Sequence, residues 1–115
     1  MNAKTMETYY NALLAKDLDK ATQCLHPDID WKSPLGQRRG RDHVIESARG
    51  FAMMLEDLKI RQSLGSDTHA MLAMDFKMKD SDVWHSGAAY ASFKDGLMHE
   101  FELLFDPRPF VDFKG

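Results

Sequence analysis

The feature that most constrains this chain is the two-residue alternation running through its second half. Leu58, Ile60, Gln62 and Leu64 alternate with Lys59, Arg61 and Ser63, and Leu72, Met74, Phe76 and Met78 alternate with Asp75, Lys77 and Lys79. Two more such stretches follow, Val83 to Phe93 and Leu97 to Phe105. Successive side chains of a strand point to opposite faces, so each stretch predicts a strand with one apolar face. The separators are turn chemistry: Gly65-Ser66-Asp67, Asp80-Ser81-Asp82 and Asp95-Gly96, the last a tight-hairpin pair. Consecutive strands joined this way make an antiparallel meander, whose apolar face needs a cover.

The first half supplies the cover. Met6, Tyr9, Tyr10, Leu13 and Leu14 recur at helical spacing, predicting an amphipathic helix over 5–15. Asp17 suits the N-cap of a second short helix bearing Leu18, Ala21, Thr22 and Leu25. His26-Pro27 ends it, because a residue before proline is pushed out of the α region. Ile29 to Ser33 alternates as a short strand stopped by Pro34 and Gly36. Gly40-Arg41-Asp42 opens a third helix with Val44, Ala48, Phe51, Ala52 and Leu55 as its stripe. Helices followed by a strand meander predict an α+β fold, the helices packed on one face of an antiparallel sheet.

A chain of 115 residues matches one domain that buries about two-thirds of its unfolded surface. With 43% hydrophobic and 29% charged residues, intrinsic disorder is not expected. A net charge of −3 argues against duplex DNA and acidic membranes as partners. No apolar run reaches the roughly 20 residues of a membrane span, and Met1-Asn2-Ala3-Lys4 lacks a signal-peptide core, so a cytoplasmic protein is expected. The lone Cys24 excludes a disulfide framework and multi-cysteine metal sites, and sits beside an apolar stripe as an inert thiol. His43 and Glu46 have helical ligand spacing but no third partner, and no glycine-rich phosphate loop occurs, so neither metal nor cofactor is expected.

Parity sorts the remaining candidates. His85, Gly87, Ala89, Ala91 and Phe93 share one face of their strand; His99, Phe101, Leu103 and Phe105 share one face of the next. Three successive small residues point to a cavity beside them, the alternative being a helix side chain that fills the gap. The opposite face, with Met71, Ala73, Asp75 and Lys77, then Ala88, Tyr90 and Ser92, then Met98, Glu100, Glu102 and Leu104, is too apolar for a solvated sheet and too polar for a core. It predicts a two-fold homodimer packed sheet to sheet. Arg38-Arg39-Gly40-Arg41, placed in a loop, either holds a carboxylate or phosphate or merely solvates the loop. Pro107-Arg108-Pro109 cannot continue a central strand, and Phe110, Val111 and Phe113 are predicted to dock over a pocket mouth or onto a partner.

The element order, and the string Asp28-Ile29-Asp30-Trp31-Lys32-Ser33-Pro34-Leu35-Gly36 followed by Gly40-Arg41-Asp42, resembles the nuclear transport factor 2-like superfamily. The likeness is to its SnoaL-like and ketosteroid-isomerase-like members and spans about 5–106, with 107–115 as a tail to a single domain of 1–115. It implies a cystatin-like fold, a cone-shaped curved antiparallel sheet wrapped around N-terminal helices and enclosing a pocket. It also places Tyr9 where ketosteroid isomerases keep an oxyanion donor. Their general-base position is Ser33 here, before Pro34-Leu35-Gly36, and their second oxyanion donor falls on Ala89, so isomerase activity is not expected. Polyketide-cyclase members use a histidine and an aspartate on the last two strands; the matching places hold His85 and His99.

With such a curl, Tyr9, His85 and His99 are the candidate donor and bases, and Trp31, Ser33, Phe76, Phe101, Leu103 and Phe105 the ligand-binding wall. Two functions stay open at this point. One is a cofactor-independent lyase, isomerase or cyclase acting on a small hydrophobic carbonyl or hydroxyl compound. The other is a non-catalytic ligand-binding or dimerisation module. The polar content of the pocket separates them.

Overall fold

The computed structural model describes residues 2–110. The elements in chain order are α1 (Asn2–Leu14), α2 (Leu18–Thr22), β1 (Leu25–Ser33), β2 (Gly36–Arg39), α3 (Arg41–Met54), β3 (Leu55–Gly65), β4 (His69–Met78), β5 (Trp84–Lys94) and β6 (Leu97–Phe105). No helix among the described residues is long and apolar enough to cross a membrane.

α1 buries Met6, Tyr9, Tyr10, Ala12 and Leu13 along one side. Its end is a Schellman turn: the Lys16 N–H donates to Leu13 O at 3.1 Å and the Asp17 N–H to Ala12 O at 2.9 Å. Lys16 holds the left-handed position with φ 64°, where glycine is usual. Its side chain accounts for the departure. Lys16 Nζ donates to Ala52 O and, at 2.6 Å, to Leu55 O. Those carbonyls close α3, whose last turn has no basic residue of its own, so a cation from another loop meets the negative end of that helix. Burial, with Lys79 as a lesser cause and Glu56 opposing, lowers the Lys16 pKa. Asp17 then caps α2, its carboxylate accepting from the Lys20 N–H at 3.1 Å.

Two local expectations change at β1 and β2. α2 stops at Thr22 and Leu25 already belongs to β1, so the chain enters the sheet before Pro27 rather than after it. Proline is tolerated there because the pairing of β1 with β6 is irregular between Leu25 and Asp30, and a ladder donor is not required at an irregularity. The arginine-bearing segment expected as a loop is an edge strand, hairpinned to β1 in the register Ser33↔Gly36, Trp31↔Arg38 and Asp30↔Arg39.

The strand order is β2-β1-β6-β5-β4-β3. The sheet is curved and unclosed, with the helices on its inner face. It is mixed rather than wholly antiparallel, because β1 runs parallel to β6 while every other neighbouring pair is antiparallel. The β5–β6 hairpin closes through Asp95 (φ 55°) and Gly96 (φ 77°), the positive pair that a two-residue turn needs. Just beyond it the register slips between Ser92 and Phe93. That bulge redirects the side chains at the start of β6.

Candidate functional site

A cavity of about 320 Å³ lies between the helices and the inner face of the sheet. α1 contributes Tyr9, Tyr10 and Leu13, residues one helical turn apart or adjacent on the buried side. α3 contributes Val44, Ser47, Ala48 and Phe51 at the i, i+3, i+4, i+7 spacing of a single face. The β1–β2 hairpin presents Trp31, Ser33, Leu35 and Arg38, and the far wall is Met74, Phe76, Met78, Leu103 and Phe105. Phe110 closes in from the tail. A short 3₁₀ turn with a Phe110 N–H to Pro107 O bond of 2.9 Å swings it back. Its ring lies 4.8 Å from that of His85, 5.4 Å from Phe105 and 6.1 Å from Phe76. The expected docking of Phe110 at the pocket is thus present; Val111 and Phe113 lie outside the described residues.

The polar groups are few. Tyr9 and Tyr10 are buried edge to face at 5.1 Å and both lean on Phe101, at 5.9 and 6.4 Å. No hydrogen bond ties either hydroxyl to another described residue, yet among the described residues no buried side-chain polar atom is left unsatisfied. Both hydroxyls therefore keep access to the space beside them. Burial pushes both phenols well above the ordinary tyrosine value, the thiol of Cys24 adding to the effect on Tyr9 and Tyr9 adding to that on Tyr10. A phenol whose pKa is raised stays protonated near neutral pH, so both can donate a hydrogen bond and are poorly suited to act as bases. Ser33 Oγ accepts from the Leu35 N–H at 3.1 Å within its own turn. Cys24 is buried, its thiol donating weakly to Lys20 O at 3.6 Å, and burial, partly offset by Lys20, raises its pKa.

Of the residues marked from sequence, Tyr9, Trp31, Ser33, Phe76, Leu103 and Phe105 line the cavity. Phe101 does not; it is buried behind the two tyrosines and acts as their support. His85 packs on Phe76 at 5.4 Å and on Phe110, both of which line the cavity, without lining it itself. His99 departs further. The register slip makes Met98 the inward partner of Phe93, so Met98 is wholly buried and His99 packs edge-on to His26 at 4.9 Å. His26 in turn accepts from the Asp28 N–H at 3.0 Å and faces Asp95 at 3.8 Å. The two expected bases sit near opposite ends of the β5–β6 pair, roughly 25 Å apart along the strands at ~3.3 Å per residue. Neither lines the cavity with Tyr9.

The small-residue wall is also differently used. Ala89 and Ala91 are fully buried in the core, and a Cβ on Gly87 would come 3.0 Å from Leu104 O and 3.6 Å from the Phe76 ring. These positions accommodate neighbours instead of bordering space. Sequence reasoning passed over Tyr10 and Ser47, which carry no signal beyond their place on apolar helix faces. Among the described residues no three His, Cys, Asp or Glu side chains gather as a metal site.

The model of one protein family, described as the SnoaL-like domain, matches residues 6–101. Solved structures share the fold. A protein from Kribbella flavida DSM 17836 superposes with a TM-score of 0.88 at 22% identity, over 96% of this chain and 91% of that one. An LEH-like epoxide hydrolase from M. tuberculosis gives 0.78 at 16% identity, over 93% and 84%. A steroid delta-isomerase from Pseudomonas aeruginosa gives 0.76 at 22% identity, over 95% and 82%. No curated protein matches the chain in sequence.

Proposed function

Because the chain belongs to the SnoaL-like domain family, we propose that it is a small-molecule-binding protein whose cavity holds a compact, largely apolar ligand without moving protons on it. One observation carries this reading. Among the described residues lining the cavity there is no carboxylate, imidazole, amine or thiol. A general base must lie within hydrogen-bond reach of the proton it takes and have a pKa near the working pH. Tyr9 and Tyr10 are displaced away from that range, and Ser33 has no base beside it. What the lining does offer is shape, aromatic surface and two phenol donors, which suits recognition of a carbonyl or hydroxyl group. The volume is at the low end of the ~300–1,000 Å³ typical of ligand pockets, favouring a compact ligand.

The same tyrosines favour a second reading. Paired donors aimed at one oxygen can stabilise an oxyanion, as in an enzyme whose substrate brings its own base. The epoxide hydrolase and steroid isomerase that share this fold make that reading a fair competitor. Native mass spectrometry of the protein purified from its source separates the two. A small molecule that travels with the protein and is recovered unchanged supports binding. A product whose formation is lost in Tyr9→Phe transfers the case to catalysis, and a chain that carries no molecule and binds none from an aromatic fragment set refutes both.

For assembly, the proposal is a homodimer through the outer sheet face. Met71 and Tyr90 are exposed register partners and Leu104 is exposed beside Ala88, an apolar patch of the kind that anchors interfaces.

A further inference from the structure

Register decides what the two arginines of β2 do. Arg38 pairs with Trp31 and Arg39 with Asp30. Adjacent residues of a strand face opposite sides. Arg38 therefore shares the inward face with Trp31 and lines the cavity, while Arg39 turns outward with its Nε 3.8 Å from Asp30 Oδ1. Two other arginines are matched in the same manner. Arg61 lies 3.5 Å from Asp75, and Arg108 grips both oxygens of Asp106. Among the described residues, no carboxylate lies within ion-pairing distance of Arg38. Its Nη1 donates to the carbonyl of its own neighbour, Gln37, at 2.9 Å, and most of its planar fork of five donors remains open.

Among the described lining residues, a single cationic fork thus stands at the hairpin side of a cavity that is otherwise neutral and mostly carbon. We infer that the ligand is an amphipathic acid: an apolar ring or short chain seated among Phe51, Phe76, Leu103 and Phe105, with one carboxylate held by Arg38. This rests on the small-molecule reading above and names its ligand class. Guanidinium matches a carboxylate through two parallel hydrogen bonds, a geometry that lysine does not offer. One carboxylate also balances one guanidinium. A phosphate would bring up to two negative charges to a place with no glycine-rich loop and, among the described residues, no second cation in the lining. Arg38 is exposed on its outer side, so the attraction is partly screened and falls with salt.

The test compares 2-naphthoate with its uncharged isostere 2-naphthamide, titrated calorimetrically into the full chain. The acid is expected to bind at least tenfold more tightly at low salt, roughly the value of one charge-assisted hydrogen bond, and to lose most of that advantage at ~0.5 M salt. Arg38→Gln should abolish the preference, lowering the affinity for the acid at least tenfold more than that for the amide. Arg38→Lys should keep part of it, and Arg39→Gln all of it. Equal binding of acid and amide to the wild type overturns the acid assignment while leaving the cavity reading intact. So does an Arg38→Gln variant, with an unchanged melting curve, that weakens both probes equally. If neither probe binds at about millimolar concentration, the small-molecule reading fails and the acid assignment fails with it.

Discussion

Lys16 offers a dissection in which two opposing terms sit on one residue. Its backbone occupies the left-handed region at φ 64°, which costs a non-glycine residue roughly 1–2 kcal/mol. Its ammonium meanwhile bridges the carbonyls of Ala52 and Leu55 at the end of α3. Two charge-assisted hydrogen bonds, at about 1.5–3 kcal/mol each, are offset by about 2 kcal/mol of lost lysine rotamer freedom and by solvent screening, leaving a net of about 1–2 kcal/mol. Lys16→Ala removes the bridge and keeps the strain, so it should destabilise by that net amount. Lys16→Gly removes the bridge and relieves the strain, so it should lie about 1 kcal/mol above the alanine variant, close to wild type. Lys16→Met keeps the stem and the strain and should fall with alanine. Urea unfolding at constant m-value reads all three differences directly. If alanine is within about 0.3 kcal/mol of wild type, the bridge is idle, judged against the roughly ±0.5 kcal/mol spread of neutral surface changes. If glycine is no more stable than alanine, the strain assignment is wrong.

Three other outcomes are expected. Tyr9 and Tyr10 have folded-state pKa values raised by burial, so above pH 10 the unfolded chain binds fewer protons than the folded one and stability falls as pH rises; the Tyr9→Phe/Tyr10→Phe variant should lose less of its urea midpoint between pH 9 and 11, and an equal loss would contradict the burial. Phe110→Ala removes a half-buried ring that closes the cavity, which should cost about 1–2 kcal/mol by thermal melting and speed ligand dissociation; no change in either would mean that the tail is idle. Sedimentation at roughly tens of micromolar, where subunit association is ordinarily visible, should report twice the 13.2 kDa chain mass; Tyr90→Glu should return the monomer with its fold intact, and a wild type that is monomeric would sink the sheet-face assignment.

The fold was legible where one local rule sufficed. Alternation placed β3 to β6 to within a few residues, and Asp95-Gly96 located the hairpin, because the period of two and the positive φ pair are properties of the neighbouring residues alone. The site was legible only in part, because lining a cavity depends on partners far along the chain. Trp31, Ser33, Leu103 and Phe105 kept their predicted faces. His99 lost its face to a one-residue slip near Ser92, and no residue type in Met98-His99-Glu100 announces a bulge. Arg38 was visible as a charge but not as a direction, since its register with Trp31 exists only after β2 is recognised as a strand. Lys16 as the missing cation of α3 was beyond reach, as the two segments meet only in three dimensions.

The parallel seam between β1 and β6 has a consequence for the order of folding. The meander from β3 to β6 is stitched by short turns and can zip from one neighbour to the next. β1 cannot join by such a step: its partner is β6, and more than half of the chain lies between Leu25 and Met98. Closing so long a loop costs entropy before any contact rewards it. The β1–β2 hairpin, which carries Trp31, Ser33 and Arg38, is therefore expected to dock after the meander has formed, and the cavity wall it supplies is complete only then.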